Sequence, residues 1–254
     1  MVSMPQLFDA HFHIIDPAYP LVENNGFMPE PFLASDYVDQ VVGLDVAGGA
    51  VVSGSFQAFD QGYLVDALAA LGPGFVGVTQ IPVSTTDAEI RSLNSAGIRA
   101  IRFNLRRGGS AGLEDLETLA RRVHDLVGWH TELYVDSREL GDLESILTAL
   151  PNVSIDHLGM HRGGLPTLLR LVENGVKVKA TGFGRIEIDP VETIQAIMAV
   201  DPTALMAGTD LPSTRAARPF NSSDLDVLAE AVGFNHVEDV FWNNAARFYR
   251  ATES

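Results

Sequence analysis

Cysteine is absent from this chain of 254 residues. Its absence excludes disulfide bonds, zinc sites built from thiolates and a cysteine nucleophile, although it does not identify a cellular compartment. Positive charge is also scarce, because 17 Lys and Arg face 33 Asp and Glu and leave a formal net charge of −16. Such a surface repels nucleic acid and anionic lipid, so we expect neither as a partner. An anionic substrate would need locally concentrated arginines.

Long apolar runs are missing as well. No segment approaches the roughly 18 consecutive apolar residues of a transmembrane helix, and no early stretch is typical of a signal peptide. We therefore expect a soluble, cytoplasmic protein without membrane contact. Linkers rich in Pro, Gly or Ser, low-complexity tracts and blocks of charge are also lacking. These absences favour a single domain over residues 1–254.

Short β-branched runs alternate with segments of helical period along the chain. The eight predicted strands cover residues 7–14, 49–56, 75–81, 98–104, 131–136, 153–159, 176–182 and 204–210. The predicted helices cover residues 36–46, 60–71, 85–95, 113–127, 138–149, 163–174, 190–199, 223–232 and 237–250. Eight strand–helix units in about 250 residues predict a (β/α)₈ TIM barrel of the α/β class. An open doubly wound sheet would call for a GxGxxG loop after the first strand, and none occurs there.

Residues 15–34, which follow the first strand, form a long irregular segment with several prolines. Loops of this length without secondary structure are uncommon in compact domains and are often functional. We interpret the segment as a lid over the mouth of the barrel. The alternative is a surface excursion without function.

Polar side chains are predicted at the carboxyl ends of the strands, where barrel enzymes place their active sites. Asp9, His11 and His13 alternate along the first strand, so simple alternation puts all three on the inner face. Asp9 is expected to support one of the histidines. His157 ends the sixth strand and Asp210 ends the eighth. Because the first and eighth strands become neighbours when a barrel closes, we expect Asp210 beside the two histidines.

Arginines and an aromatic side chain accompany these residues. Arg102 and Tyr134 lie on the fourth and fifth strands, Arg106 lies in the loop after the fourth, and Arg185 follows the seventh. The arginines could bind an anion, since a guanidinium can give a carboxylate two parallel hydrogen bonds. Arg102 could instead form a structural ion pair with Glu132.

Five segments of the chain resemble the amidohydrolase-related proteins (amidohydrolase family 2). They are DAHFHI at 9–14, GIRAIRFNLR at 97–106, SIDHLG at 154–159, GTDLPS at 208–213 and WNNAARFYR at 242–250. Within this family the likeness is greatest to the branch of 2-pyrone-4,6-dicarboxylate lactonase and the sugar-lactone hydrolases. The resemblance covers nearly the whole chain in order. It implies a (β/α)₈ fold and hydrolysis of a lactone by water at the barrel mouth.

The resemblance also implies catalytic roles. His11 and His13 match the HxH pair of the first strand, and His157 matches the histidine of the sixth. Asp210 matches the aspartate of the eighth strand, which handles the proton of the attacking water. We therefore expect Asp210 to act as a general base, while the three histidines polarise the carbonyl group.

Substrate contacts follow from the same resemblance. Arg102, Tyr134 and Arg185 match substrate-contacting groups of the dicarboxylate lactonase, and Arg106 is a less secure match because the register of its loop is uncertain. The implied partner is a small anionic or sugar-derived lactone. A homo-oligomer is compatible with the sequence.

The chain departs from the wider superfamily at its metal site. Binuclear members use a lysine or glutamate of the fourth strand and a histidine at the end of the fifth, and neither occurs at those positions here, which disfavours a binuclear site. We favour a lactonase that requires no cofactor. The alternative is a mononuclear hydrolase or decarboxylase with one Zn²⁺ or Mn²⁺ on His11, His13 and Asp210, with His157 as a further ligand. A barrel that binds a small acid without turnover is the remaining hypothesis.

Overall fold

The computed structural model describes residues 5–251, so residues 1–4 and 252–254 of the predicted domain lie outside the described part. Eight parallel strands form one sheet in chain order: β1 Leu7–Phe12, β2 Val46–Val52, β3 Phe75–Thr79, β4 Ile98–Asn104, β5 His130–Tyr134, β6 Val153–Ile155, β7 Lys177–Ala180 and β8 Leu205–Ala207. The α-helices are α1 Ala34–Gln40, α2 Gly62–Leu71, α3 Asp87–Ser95, α4 Leu116–Val127, α5 Leu140–Ala149, α6 Leu165–Glu173, α7 Pro190–Val200, α8 Ser223–Val232 and α9 Asn244–Phe248. This order confirms the predicted (β/α)₈ barrel.

Backbone hydrogen bonds join β1 to the segment after β8 at the carboxyl end of the barrel and close the seam between the two strands. Asp210 N donates to His11 O at 2.7 Å, and His13 N donates to Leu211 O at 2.7 Å. The two segments approach so closely that a Cβ at Gly208 would lie 2.9 Å from the His11 nitrogen. Glycine at this position therefore permits the contact that brings Asp210 to the histidines, as the sequence predicted.

Several predicted elements are too long at the mouth of the barrel. The strand predicted over 153–159 ends at Ile155, and the strand predicted over 204–210 ends at Ala207. His157 and Asp210, which the sequence placed at the ends of these two strands, lie beyond them and have a left-handed backbone instead. The helix predicted over 237–250 is divided into a π-helical turn, Asp239–Asn243, and the short α9.

The alternation predicted for β1 is wrong. A register shift between Asp9 and Phe12 breaks the regular pairing with β2, as a β-bulge does. Asp9 faces α1, where it accepts a hydrogen bond from the Tyr37 hydroxyl at 3.0 Å, and Phe12 stacks on the same tyrosine ring at 3.7 Å. His11 lies on the inner side, so the bulge separates it from Asp9.

Asp9 therefore does not support a histidine ring as expected. It accepts hydrogen bonds from Thr209 N at 2.8 Å and from the Thr209 hydroxyl at 2.7 Å. Its contact with His11 is to the backbone nitrogen, at 3.3 Å. The role of Asp9 is to fasten β1 to the segment after β8.

Two apolar layers support this arrangement. The larger lies between the sheet and the surrounding helices. The smaller fills the lower interior, where Phe8, Ala10 and Met206 pack with Tyr249, which closes the amino-terminal end of the barrel. Phe8 stacks on the Tyr249 ring with centroids 5.3 Å apart. Among residues 5–251, no helix has the length and apolar character needed to cross a membrane.

Candidate active site

Four polar side chains meet at the carboxyl ends of β1, β6 and β8. The imidazole centroid of His11 lies 5.0 Å from that of His13 and 4.8 Å from that of His157. Asp210 Oδ1 lies 3.9 Å from His11 Nε2 and 3.9 Å from His157 Nε2. The structure therefore brings together the residues that the sequence predicted from three distant segments. We call His11, His157 and Asp210 the upper group.

Two members of the upper group have an unusual backbone. His157 has φ of 52° and Asp210 has φ of 65°, in the left-handed region that is uncommon for residues with a side chain. Holding such a residue costs on the order of 1–3 kcal/mol, which the surrounding structure must compensate, and such residues cluster at functional sites. Both strained residues direct their side chains to the same point.

Two atoms at this point are buried without a hydrogen-bond partner, namely His11 Nε2 and Asp210 Oδ1. A buried polar atom that stays unpaired costs about 1–3 kcal/mol, so an unpaired pair aimed at one spot indicates a binding position for a polar group. The other oxygen, Asp210 Oδ2, accepts hydrogen bonds from Arg185, with Nε at 2.7 Å and Nη2 at 2.6 Å. Asp210 thus keeps one oxygen available to the site.

The electrostatic environment keeps the imidazoles neutral. Burial lowers the pKa of His11, and burial together with neighbouring positive charge holds the pKa of His13 and of His157 well below the usual range. Burial also raises the pKa of Asp210, although Arg185 opposes this effect. A neutral imidazole offers one donor and one acceptor nitrogen, so its partners decide which nitrogen faces the site.

His13 faces the site with an acceptor nitrogen. Its Nδ1 lies 2.6 Å from the carbonyl oxygen of Val52, which can only accept, so Nδ1 carries the proton and Nε2 is unprotonated. His157 Nδ1 instead contacts the Thr181 hydroxyl at 2.8 Å, and a hydroxyl can donate or accept. His157 can therefore present an N–H to the site, whereas neutral His13 cannot.

A pocket opens over these side chains and is strongly basic. Its wall includes His13, Asn104, Tyr134 and His157 together with Arg102, Arg107, Arg185 and Arg215. Local concentration of arginine is what an acidic protein needs to hold an anion. Three of the predicted substrate-binding residues, Arg102, Tyr134 and Arg185, therefore lie on the pocket.

The four pocket arginines differ in their partners. Arg102 donates to Asp156 Oδ2 from Nε at 3.2 Å and from Nη2 at 2.8 Å, which replaces the ion pair that we considered with Glu132. Arg185 is engaged by Asp210, and Arg215 donates to Asn24 Oδ1 at 2.9 Å.

Arg107 is the least engaged of the four. Among the described residues its guanidinium has no recorded hydrogen-bond or ion-pair partner, and it is only half-buried. The predicted Arg106 points elsewhere, with Nη1 3.9 Å from Asp136 Oδ2 and a side chain that is 37% exposed. The pocket-lining residue of this pair is therefore Arg107, one position after the residue that the sequence suggested.

Below the upper group lies a second set of charged side chains, which we call the lower network: Lys179, Glu132, Asp156, His130 and Tyr249. Lys179 contacts the Glu132 carboxylate, and its Nζ lies 3.5 Å from Asp156 Oδ1. Glu132 Oε1 accepts from the Tyr249 hydroxyl at 2.5 Å and lies 3.0 Å from His130 Nε2. Burial alone would raise the pKa of Glu132, but Lys179 and His130 together outweigh this effect and the pKa falls to about 2.

Sequence reasoning did not select Lys179, Asp156, Arg107 or Arg215 as site residues. The available signal for Lys179 was a charged residue between Val178 and Ala180, in the middle of the strand predicted over 176–182. Such a residue is costly to bury without partners and therefore implies them. Nothing in the sequence shows whether Arg107 and Arg215 face the pocket or the surface, because the conformation of their loops decides where each side chain points.

Two sets of side chains in the described chain have the donors and spacing for a metal ion: the upper group, and His11 with Glu132 and Asp156. The second set already surrounds the ammonium of Lys179, which fills its centre. The upper group fits a metal by its donors, since two imidazoles and a carboxylate with an open position are a zinc ligand set. It includes His157 and not the predicted His13.

The chain belongs to the amidohydrolase family, whose model matches residues 8–251. This confirms the family that the sequence resembled. A solved structure from Agrobacterium tumefaciens superimposes with a TM-score of 0.84 at 20% identity and covers 98% of this chain and 97% of that one. At this identity the superposition shows a shared fold.

Two curated relatives have names that describe hydrolysis. A 2-pyrone-4,6-dicarboxylate hydrolase of Comamonas testosteroni is 31% identical over 156 residues, which are 59% of this chain and 51% of that protein. A 4-sulfomuconolactone hydrolase of Rhizobium radiobacter is 26% identical over 228 residues, which are 81% of this chain and 75% of that protein. The match to the first of these relatives thus spans about half of its length.

Proposed function

We propose that this protein hydrolyses a lactone carrying a carboxylate or several hydroxyl groups and that it needs no metal cofactor. The observation that carries the proposal is the convergence of the unpaired His11 Nε2 and Asp210 Oδ1 beneath a pocket lined with arginine. The names of the two relatives support it, because a 2-pyrone-4,6-dicarboxylate and a sulfomuconolactone are both cyclic esters with anionic groups.

The reaction begins with a water molecule at the free oxygen of Asp210. Asp210 Oδ1 takes a proton from the water while the water oxygen attacks the lactone carbonyl carbon. The carbonyl oxygen gains negative charge and accepts hydrogen bonds from N–H groups of His11 and His157. The ring C–O bond then breaks, and Asp210 returns its proton to the leaving ring oxygen. The products are a hydroxyl group and a carboxylic acid, which ionises in water.

We propose for His13 a role that differs from the one expected from the sequence. Because its neutral ring presents an unprotonated Nε2, it accepts a hydrogen bond from water or from a substrate hydroxyl and does not polarise the carbonyl group. The polarising role falls to His11 and His157.

Substrate anions are bound by the pocket arginines to different degrees. Arg107 is the principal carboxylate ligand, because its guanidinium has no recorded partner among the described residues. Arg102 and Arg185 already donate hydrogen bonds to Asp156 and Asp210. They therefore give the pocket positive potential and can each donate a single hydrogen bond to the substrate. Tyr134 packs its ring edge-on against His157, with centroids 5.2 Å apart, and forms part of the wall.

Residues 15–34 act as the lid of this pocket in our proposal. Val22 N donates to Phe56 O at 2.7 Å, and Phe56 is itself a wall residue. Arg215 bonds Asn24 and lies over the Phe27 ring, with its guanidinium carbon 4.3 Å from the centroid. The segment is thereby attached to an arginine of the pocket. These contacts support a role of the segment in excluding water and selecting the substrate.

A metal-dependent hydrolase or decarboxylase is the second candidate, and the zinc-like donor set of the upper group favours it. His11, His157 and Asp210 would hold the ion, which would supply Lewis-acid polarisation of the carbonyl group. In that case Asp210 would share its free oxygen between ion and water. A small-molecule substrate is common to both candidates, while a cytoplasmic location and a homo-oligomer remain predictions.

The test is acid release in a pH-stat, measured across dicarboxylated and sugar-derived lactones with protein dialysed against a chelator. We expect rapid acid production without added metal. If no acid is released until Zn²⁺ or Mn²⁺ is added, the second candidate is favoured. If no acid is released under any condition but the protein still binds a lactone, the barrel that binds a small acid without turnover is favoured.

A further inference from the structure

Lys179 is placed where a cation can act on His11. It is one of two lysines in the chain, and its side chain is fully buried. Its Nζ contacts the Glu132 carboxylate and lies 3.5 Å from Asp156 Oδ1 and 3.3 Å from His11 Nδ1. These three neighbours are the set with metal-site spacing described above. The ammonium therefore stands in the position that a metal ion would occupy in that set.

The charges around Lys179 are balanced inside the barrel. Two carboxylates, Glu132 and Asp156, face two cations, Lys179 and Arg102. Burial disfavours the ionised form of each carboxyl group. The nearby cations outweigh this effect and hold the pKa of Asp156 well below its usual range. Buried charges persist only when they are paired in this way. The pairing fixes the ammonium directly beneath His11.

An ammonium determines which nitrogen of His11 carries the proton. Lysine can donate hydrogen bonds but cannot accept them, so a ring nitrogen that bonds to Lys179 must be unprotonated. Asp156 Oδ1 competes for the same nitrogen at 3.4 Å, yet that oxygen forms no well-directed hydrogen bond, and Arg102 holds the other oxygen. The geometry thus favours Lys179 as the partner of His11 Nδ1.

We propose that Lys179 is a positioning residue whose ammonium replaces a metal ion beneath the site and fixes the His11 proton on Nε2. His11 then presents an N–H donor to the carbonyl oxygen of the substrate. This inference rests on the proposed function and adds to it, because it explains how His11 can polarise a carbonyl group without a metal. It also assigns a role to a residue that takes no part in the proton transfers.

The first test uses the unmodified protein and needs no substrate. Long-range ¹H–¹⁵N correlation spectra report the protonation of each imidazole nitrogen, and a His11→Gln variant assigns the His11 signals by their loss. We expect an unprotonated Nδ1 and a protonated Nε2. A proton on Nδ1 would overturn the proposal, whether or not the protein proves to be a lactonase.

The second test removes the ammonium. In Lys179→Met we expect His11 to transfer its proton to Nδ1, which then bonds to Asp156, and kcat to fall by at least about 100-fold while KM changes little. Lys179→Met/Glu132→Gln removes one charge of each sign and provides the same readouts if the single variant does not fold. These spectra are recorded on zinc-free samples, because zinc bound to Nδ1 would itself leave the proton on Nε2. A zinc-free spectrum with the His11 proton still on Nε2 in either variant would contradict the assignment.

The third test measures bound zinc to ask whether the ammonium of Lys179 occupies a position that a metal ion can fill. Lys179→Met leaves His11, Glu132 and Asp156 around a vacated position, so we expect it to retain about one more Zn²⁺ per chain after dialysis than the parent protein. The matched control is Lys179→Met/Glu132→Gln, which lacks one ligand and should not gain zinc. If Lys179→Met folds and shows no gain, the ammonium does not occupy a metal-like position. If it folds only in medium containing zinc, the proposal is supported.

Discussion

In the lower network, the Lys179 ammonium lies against the carboxylates of Glu132 and Asp156. In the upper group, by contrast, His11 Nε2 and Asp210 Oδ1 have no hydrogen-bond partner among the described residues. Both sets are buried inside one barrel, and His11 belongs to both through its two ring nitrogens. The comparison shows that burial of charge does not by itself mark an active site. Two features distinguish the upper group: its unpaired nitrogen and oxygen lie close to each other, and they lie beneath the basic pocket. Asp156 Oδ1, the unpaired oxygen of the lower network, lies beside the Lys179 ammonium instead.

The largest effect is expected from Asp210→Asn, which removes the free carboxylate of the upper group. We expect kcat to fall by about 10²–10⁴-fold, because general base catalysis contributes on that scale. The melting temperature should fall less than in Glu132→Gln. Burial raises the pKa of Asp210, so its charge stabilises the fold less than that of Glu132, and the amide oxygen can still accept from Arg185. Near-normal turnover would exclude Asp210 as the base and leave the upper group without its proposed chemistry.

Glu132→Gln should damage stability, because it removes the partner of a buried cation. We expect the free energy of unfolding in urea to fall by about 3–5 kcal/mol. The matched control is Glu192→Gln, at an exposed ion pair with Arg162 at 3.9 Å, where the change should stay within about 0.5 kcal/mol. Equal losses in the two variants would mean that the lower network is no more stabilising than a surface pair.

The same pair makes a prediction for acid denaturation. Burial opposes ionisation of Glu132, but Lys179 and His130 together hold its pKa at about 2 against a usual value of 4.5. A depressed carboxyl pKa stabilises the folded state above the unfolded value, and this contribution is lost as pH falls from about 4.5 through 2. Glu132→Gln should therefore flatten this part of the curve of unfolding free energy against pH. If the curve is unchanged, carboxylates other than Glu132 cause the loss of stability at low pH.

A smaller effect on substrate binding is expected from Arg107→Gln. A charge-assisted hydrogen bond contributes about 1.5–3 kcal/mol, so KM for a carboxylated lactone should rise by about 10- to 100-fold with little change in kcat. Arg106→Gln is the matched control, since Arg106 is directed to Asp136. A larger increase in KM for the control would restore Arg106 as the substrate ligand predicted from the sequence.

The smallest effect is expected from metal removal. If the ammonium of Lys179 serves His11 in place of an ion, dialysis against a chelator should leave kcat within about twofold of its starting value. Measurement of kcat and of zinc content on the same sample checks this expectation. A loss of activity in step with a loss of bound zinc would assign the upper group to a metal and sharpen its contrast with the lower network.

The barrel could be predicted because its signals are local and repeated. Eight β-branched runs separated by helical segments admit few arrangements, and the strand order in the structure agrees with them. His11, His13, His157 and Asp210 could be selected for a related reason, since a barrel collects the carboxyl ends of its strands at one mouth. Their chemical roles remain predictions.

Details that depend on one residue of register could not be predicted. The bulge in β1 moved Asp9 away from His11, because a shift of one residue turns a side chain to the other face of a strand. Arg107 replaced Arg106 on the pocket wall for a similar reason. No periodic signal in the sequence reports a bulge or the direction of a loop arginine.

The sequence by itself determined the fold class, the family and the polar residues at the barrel mouth, since these follow from periodicity and from motifs a few residues long. Only the tertiary structure decided the partners of these residues: which aspartate oxygen is free, which nitrogen of His13 faces the site, and that Lys179 lies beneath His11. The physical reason is that buried charges and hydrogen bonds are satisfied by groups from distant parts of the chain. Their strength depends on ångström-scale distances and on exclusion of water, and only the folded barrel sets both.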